Sequence, residues 1–248
     1  MSKKFLAVLA AGVIGATVAQ ANSIESANIV GYQEVTVPTG YSLFTVTFKN
    51  IDNGEYDLQN IVPYQNGTIY AANNKVVVQK MDTAGAYLQT YNYRQGKGGW
   101  CKSLTFIGNG VVTFKDGEAM CVNNTTGAPI QLQVSGQVSL EPWSYEIPTG
   151  YSLIGNMTPS EIDMQDIIPY DLNGEIISVN NKVIIQKMDT TGAYLQTYNY
   201  RQSKGGWCKS LTFAGTGALV FAPGEAACIN NQTGAPIKLK FKAPVAAQ

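Results

Sequence analysis

The chain has 248 residues, 17 basic and 17 acidic side chains, and no histidine. Without histidine there is no Ser-His-Asp or Cys-His nucleophilic site, no His-ligated zinc and no imidazole base. The charges are few and mixed, with no polybasic run, which argues against nucleic acid and anionic lipid as partners.

Residues 1–21 read as a signal peptide. Lys3 and Lys4 form a positive start, residues 5–19 are apolar and small, and Ala19-Gln20-Ala21 is an A-x-A cleavage triplet. Cleavage takes two basic residues from the 17, leaving 15 against 17 acidic ones, a net charge near −2. No later stretch is long and apolar enough to cross a bilayer as a helix. The expected mature chain is exported to the extracellular space, the periplasm or the cell surface, without stable membrane insertion.

The mature sequence says the same thing twice. Residues 73–106 and 180–213 differ at only four of 34 positions: Val77/Ile184, Val78/Ile185, Ala84/Thr191 and Gly96/Ser203. Such self-similarity predicts two copies of one folding unit, 22–136 and 137–248. Each copy opens on an extended segment, 28–37 or 143–147, followed by a shared Pro-Thr-Gly-Tyr-Ser-Leu at 38–43 and 148–153. Pro-x-Gly between β-branched runs is turn punctuation. A short helix is expected after Thr158, with Pro159 at its first position and Ile162, Ile167 and Ile168 as its apolar side. Its counterpart at 57–63 is shorter.

The near-identical block reads as hairpins. Strands are expected at 75–81, 86–94, 100–104, 111–114, 118–122 and 129–134, with turns at 82–85 and 96–99. The adjacent Val77→Ile184 and Val78→Ile185 changes predict a central strand covered on both sides. The fold class expected is all-β: two tandem antiparallel sandwich- or barrel-like units, each with seven or eight short strands and at most one short helix.

Four cysteines form two equivalent pairs. Cys101 and Cys121 are 20 residues apart, as are Cys208 and Cys228. In an exported chain this favours one disulfide within each copy, over free buried thiols or cross-copy bonds. The CxxC spacing of a zinc site is missing, and no metal or cofactor is expected.

The start Asn28-Ile29-Val30-Gly31-Tyr32, the Pro-Thr-Gly-Tyr-Ser-Leu turns and Pro223-Gly224-Glu225 leading into an apolar strand resemble a group of uncharacterised secreted bacterial β-repeat proteins. Asp116-Gly117-Glu118 lacks the proline of that last motif. The resemblance implies export and a β fold, and it carries no activity and no functional residues.

Three surfaces are candidates for function. Period-2 alternation places Tyr87, Gln89, Tyr91 and Tyr93 on one face, and Tyr194, Gln196, Tyr198 and Tyr200 on another. Arg94 and Arg201 end these strands, and Trp100 and Trp207 follow the next turn. Such faces stack on sugar rings or bind peptides when exposed, and fill a core when buried. Asp82, Asp189, Glu118 and Glu225 are carboxylates of the kind a glycan hydrolase or a calcium site would need, but no DxDxDG-like spacing supports calcium, and turn-forming Asp and solvated Glu are the expected roles. Residues 22–37 are β-prone and are expected to pair within their own unit rather than with a neighbour's sheet edge. The function expected is that of a non-catalytic structural or interaction protein of the envelope or extracellular space. Its partners would be copies of itself, or an extracellular glycan or protein. A carbohydrate-binding or adhesive module is the alternative, and a secreted glycan hydrolase a remote one.

Overall fold

The computed structural model describes residues 30–48, 55–102, 112–137, 144–158, 160–209 and 219–241. Residues 1–21, the expected signal peptide, and residues 138–143 at the junction lie outside these. The described residues form short antiparallel strands and four three-residue 3₁₀ turns.

In the N-terminal half, β1 (Val30–Val37), β11 (Ile130–Gln137), β4 (Val62–Gln65) and β5 (Thr68–Ile69) make one sheet in the order β1-β11-β4-β5. A second sheet has the order β2-β10-β6-β7-β8, from β2 (Gly40–Phe44), β10 (Met120–Asn124), β6 (Val76–Met81), β7 (Tyr87–Arg94) and β8 (Gly99–Lys102). A two-stranded pair, β3 (Glu55–Asp57) with β9 (Thr113–Lys115), completes it. The C-terminal half follows the same plan. Its sheets are β12-β21-β15 (Ser144–Ile147, Ile237–Phe241, Ile167–Tyr170) and β13-β20-β16-β17-β18 (Gly150–Gly155, Ala226–Asn231, Val183–Met188, Tyr194–Arg201, Gly206–Lys209), with β14 (Ile162–Asp163) against β19 (Val220–Phe221). The expected all-β, antiparallel, sandwich-like class is what the structure has.

Each half encloses its own apolar core. In the first, Phe44, Val76, Val78, Trp100, Met120 and Val122 meet Val37, Ile130 and Leu132 of the facing sheet. In the second, Ile154, Val183, Ile185, Trp207 and Ile229 meet Ile147, Ile237 and Leu239. Strand β6 lies between β10 and β7, so the Val77/Val78 pair is on a central strand as expected. Strand β1 pairs with β11 of its own half along Val30–Val37, as expected for that segment.

Two expectations are corrected. Pro159 lies outside the described residues, and the described residues 160–168 hold no α-helix: β14 runs into a 3₁₀ turn, Met164–Asp166, and then β15. Asp163 caps that turn by accepting from the Gln165 amide at 2.9 Å, as Asp57 does for Gln59. The apolar residues Ile162, Met164 and Ile167 there enter the core from strand and turn backbone. The disulfides do not form either, and all four cysteines are free and buried. Cys101 is on β8 and Cys121 on β10, three ladders apart in one sheet. That separation is about 14 Å, twice the roughly 7 Å limit between bridged Cα atoms. Cys208 on β18 and Cys228 on β20 are divided in the same way.

Candidate functional site

The tyrosine strands were the leading candidates, and a β-bulge reorganises them. Lys80 pairs with Gln89 while Met81 pairs with Tyr87, so Leu88 is an extra residue. Paired residues share a face and neighbours along a strand do not. Tyr87 therefore lies on the opposite face from Gln89, Tyr91 and Tyr93. The same shift between Lys187 and Met188 separates Tyr194 from Gln196, Tyr198 and Tyr200. The expected four-residue faces are thus corrected in both halves.

Past the bulge, the rings belong to the core. Tyr91 and Tyr198 are each 3% exposed, Tyr93 and Tyr200 6%, and Trp100 and Trp207 0%. Tyr93 meets Trp100 edge-on with ring centroids 5.3 Å apart, and Tyr200 meets Trp207 at the same distance. The indole Nε1 of Trp100 donates to the Ile61 carbonyl at 2.8 Å, and that of Trp207 to Ile167 at 2.7 Å. The phenols of Tyr91 and Tyr198 donate to Gln89 and Gln196, which are exposed at the rim. Arg94 and Arg201 turn back through Nε to Asn74 and Asn181, at 2.7 and 2.6 Å. These twelve residues do not line one groove.

The carboxylates are also engaged locally. Glu118 pairs with Lys80 at 2.9 Å and accepts the Lys115 amide at 3.0 Å. Glu225 pairs with Lys187 at 2.5 Å and accepts the Ala222 amide at 3.0 Å. The two lysines lie over Phe114 and Phe221, 4.7 and 5.0 Å from the ring centroids. Asp82 Oδ1 accepts the amides of Ala84 and Ala86, and Asp189 Oδ1 those of Thr191 and Ala193. These bonds hold the Asp189 carboxyl below its ordinary value, the Thr191 hydroxyl contributing most.

The faces of the five-stranded sheets turned away from the two cores pack on each other. Leu43, Ala119, Cys121, Leu153, Ala226 and Cys228 form this third apolar cluster, with Tyr87 and Met188 against it. The contact is reciprocal. Tyr41 N–H donates to the Thr190 carbonyl at 2.8 Å and Tyr151 N–H to the Thr83 carbonyl at 2.9 Å. The Tyr151 ring covers Gly85 and the Tyr41 ring covers Gly192. Glu118 bridges Ile154, and its counterpart Glu225 bridges Phe44.

No protein-family model, curated protein or solved structure matches this chain. The candidate site therefore rests on geometry alone, and that geometry centres on the contact between the halves.

Two clefts flank this contact. One, of about 870 Å³, is lined by Lys80, Asp82, Asp116, Glu118, Tyr145 and Tyr151 among others. The other, of about 500 Å³, carries the counterparts Lys187, Asp189, Glu225 and Tyr41. Tyr145 fills the place a side chain on Gly117 would take, and its hydroxyl donates to the Gly155 carbonyl at 3.2 Å. Burial pushes the Tyr145 phenol well up, with Asp116 and Glu118 adding to the effect. Tyr87 is likewise raised by burial, then by the Cys121 thiol and the Tyr194 hydroxyl beside it. Burial pushes the Cys121 thiol up to about 11 against a weaker opposing bond from Tyr87, and also raises Cys228.

Sequence reasoning missed the bulge residues. Leu88 and Leu195 are 63% and 64% exposed. The run gives no local signal for the bulge, because Tyr-Leu-Gln reads as ordinary alternation with the leucine turned inward.

Proposed function

We propose that this is an exported, non-catalytic structural or interaction protein that works through its surface. One observation carries this reading. Bulges in both halves hold an identical leucine, Leu88 or Leu195, out in solvent, while Tyr91, Tyr93, Trp100 and their counterparts are buried and the nominated carboxylates are held in local hydrogen bonds and ion pairs. Each exposed leucine would add apolar area to a contact with a neighbouring molecule. The buried Cys121 and Cys228 thiols, whose pKa is raised, are poor nucleophiles, and ion-paired, amide-capping glutamates are poorly placed for acid–base work. The carbohydrate-binding alternative loses its aromatic platform, because the rings of Tyr91, Tyr93, Tyr198 and Tyr200 lie in the cores.

Light scattering of the mature chain over a concentration series tests the reading. Association is expected to rise with concentration, and to fall in the Leu88→Asp/Leu195→Asp variant with no change in Tm. A mature chain that stays monomeric at high concentration removes self-association from the proposal.

A further inference from the structure

The contact between the halves has the form of a two-fold dimer interface within one chain. A residue on one side meets a partner whose counterpart meets the first residue's counterpart, as the Tyr41–Thr190 and Tyr151–Thr83 bonds show. In a true two-fold dimer, residues on the axis face their own copies and must be compatible with themselves. A fused duplicate is released from that condition, because its two copies can differ.

At the axis they do differ. Aligning Gly40-Tyr41-Ser42-Leu43-Phe44 with Gly150-Tyr151-Ser152-Leu153-Ile154 makes Thr45 the counterpart of Gly155. These two residues meet. A methyl group on Gly155 would overlap Thr45 Cγ2, and would stand 2.6 Å from Thr45 Cβ and 3.0 Å from Ala226 Cβ. Gly155 is not in the left-handed region, so its backbone admits any residue and the glycine serves space alone. Thr45 is fully buried, and its hydroxyl donates to the Glu118 carbonyl at 3.0 Å.

We propose that Thr45 and Gly155 determine the selectivity of a self-recognition surface. Each half carries a face that fits the other half, and the pairing must be unlike with like excluded on the N-terminal side. Two N-terminal halves would bring two threonines into the space that one threonine and one glycine fill. The partner this face accepts is the opposite half of the same chain. The clash is the repulsive element that selectivity requires beside the attractive contacts.

A double-mutant cycle on the whole mature chain tests this, with Gly155→Ala, Thr45→Gly and the double variant compared by thermal unfolding. Gly155→Ala should lower Tm by roughly 5 °C through overpacking. Thr45→Gly should lower it on its own by loosening the chain and losing the hydroxyl bond. In the Thr45→Gly background, adding Gly155→Ala should cost less than half of what it costs in the natural chain. If Gly155→Ala does not fold, recovery of a folded chain in the double variant is the same result. Additive losses, a Gly155→Ala chain as stable as the natural one, or a double variant that also fails to fold would each overturn the proposal.

Discussion

The side-chain amide of Gln59 pairs with the backbone of Trp100 as a neighbouring strand would. Nε2 donates to the Trp100 carbonyl at 2.8 Å and Oε1 accepts its N–H at 3.0 Å. Gln165 does the same for Trp207, at 3.0 and 2.9 Å. Strands β8 and β18 are the last in their sheets, so these residues would otherwise leave backbone groups unpaired beside the core. Gly99 and Gly206 allow the approach, because a side chain on either would collide with the glutamine oxygen.

Replacing Gln59 by Leu keeps the bulk and removes both bonds. The expected loss is about 1–3 kcal/mol, the range for leaving buried backbone groups unsatisfied. Hydrogen exchange locates it. The Trp100 amide should lose protection while the Trp207 amide keeps it, and Gln165→Leu should reverse the pattern. Unchanged protection at Trp100 would show that the side-chain pairing is not what shields it.

The free thiols give a second prediction. Cys101, Cys121, Cys208 and Cys228 are each 1% exposed or less. Thiolate is the reactive form, and Cys121, with its pKa near 11, holds little of it at pH 8. A thiol reagent should therefore label the native chain slowly and all four cysteines at once after denaturation. Reducing agent should leave Tm unchanged. A Tm that falls on reduction would mean that disulfides form after all.

The class of the fold was legible because it rests on local signals. Val-rich runs, Asp-Thr-Ala-Gly and Gly-Lys-Gly-Gly turns and a 34-residue self-match need no long-range information. The central position of Val77 and Val78 followed from two adjacent β-branched changes. The sites were less legible, because they depend on events the alternation hides. One extra residue at Leu88 reversed the face of Tyr87 relative to Tyr91. Strand order decided the cysteines, since a 20-residue spacing says nothing of the two strands that run between β10 and β8. The pairing of Gln59 with Trp100 joins residues 41 positions apart. Its trace in the sequence is a glutamine kept in both Tyr-Asp-Leu-Gln-Asn-Ile and Ile-Asp-Met-Gln-Asp-Ile.

The buried phenols predict how the protein meets alkali. Tyr87 and Tyr145 have pKa values raised above 10, with burial the leading cause in each. The sign follows from linkage. Below pH 10 these phenols are neutral in both folded and unfolded chains, and their contribution to stability is fully present. As pH rises past 10, the unfolded chain releases protons that the folded chain retains, and stability falls until the folded values are reached. Each such tyrosine adds a slope of about 1.4 kcal/mol per pH unit in that window. Tyr145→Phe removes one of them, so its stability should fall less steeply above pH 10, though it is lower at pH 7 for want of the bond to Gly155. Absorbance at 295 nm checks the mechanism independently, because these tyrosines should ionise only together with unfolding. A smooth titration of all the tyrosines near pH 10 in a chain that remains folded would contradict their burial.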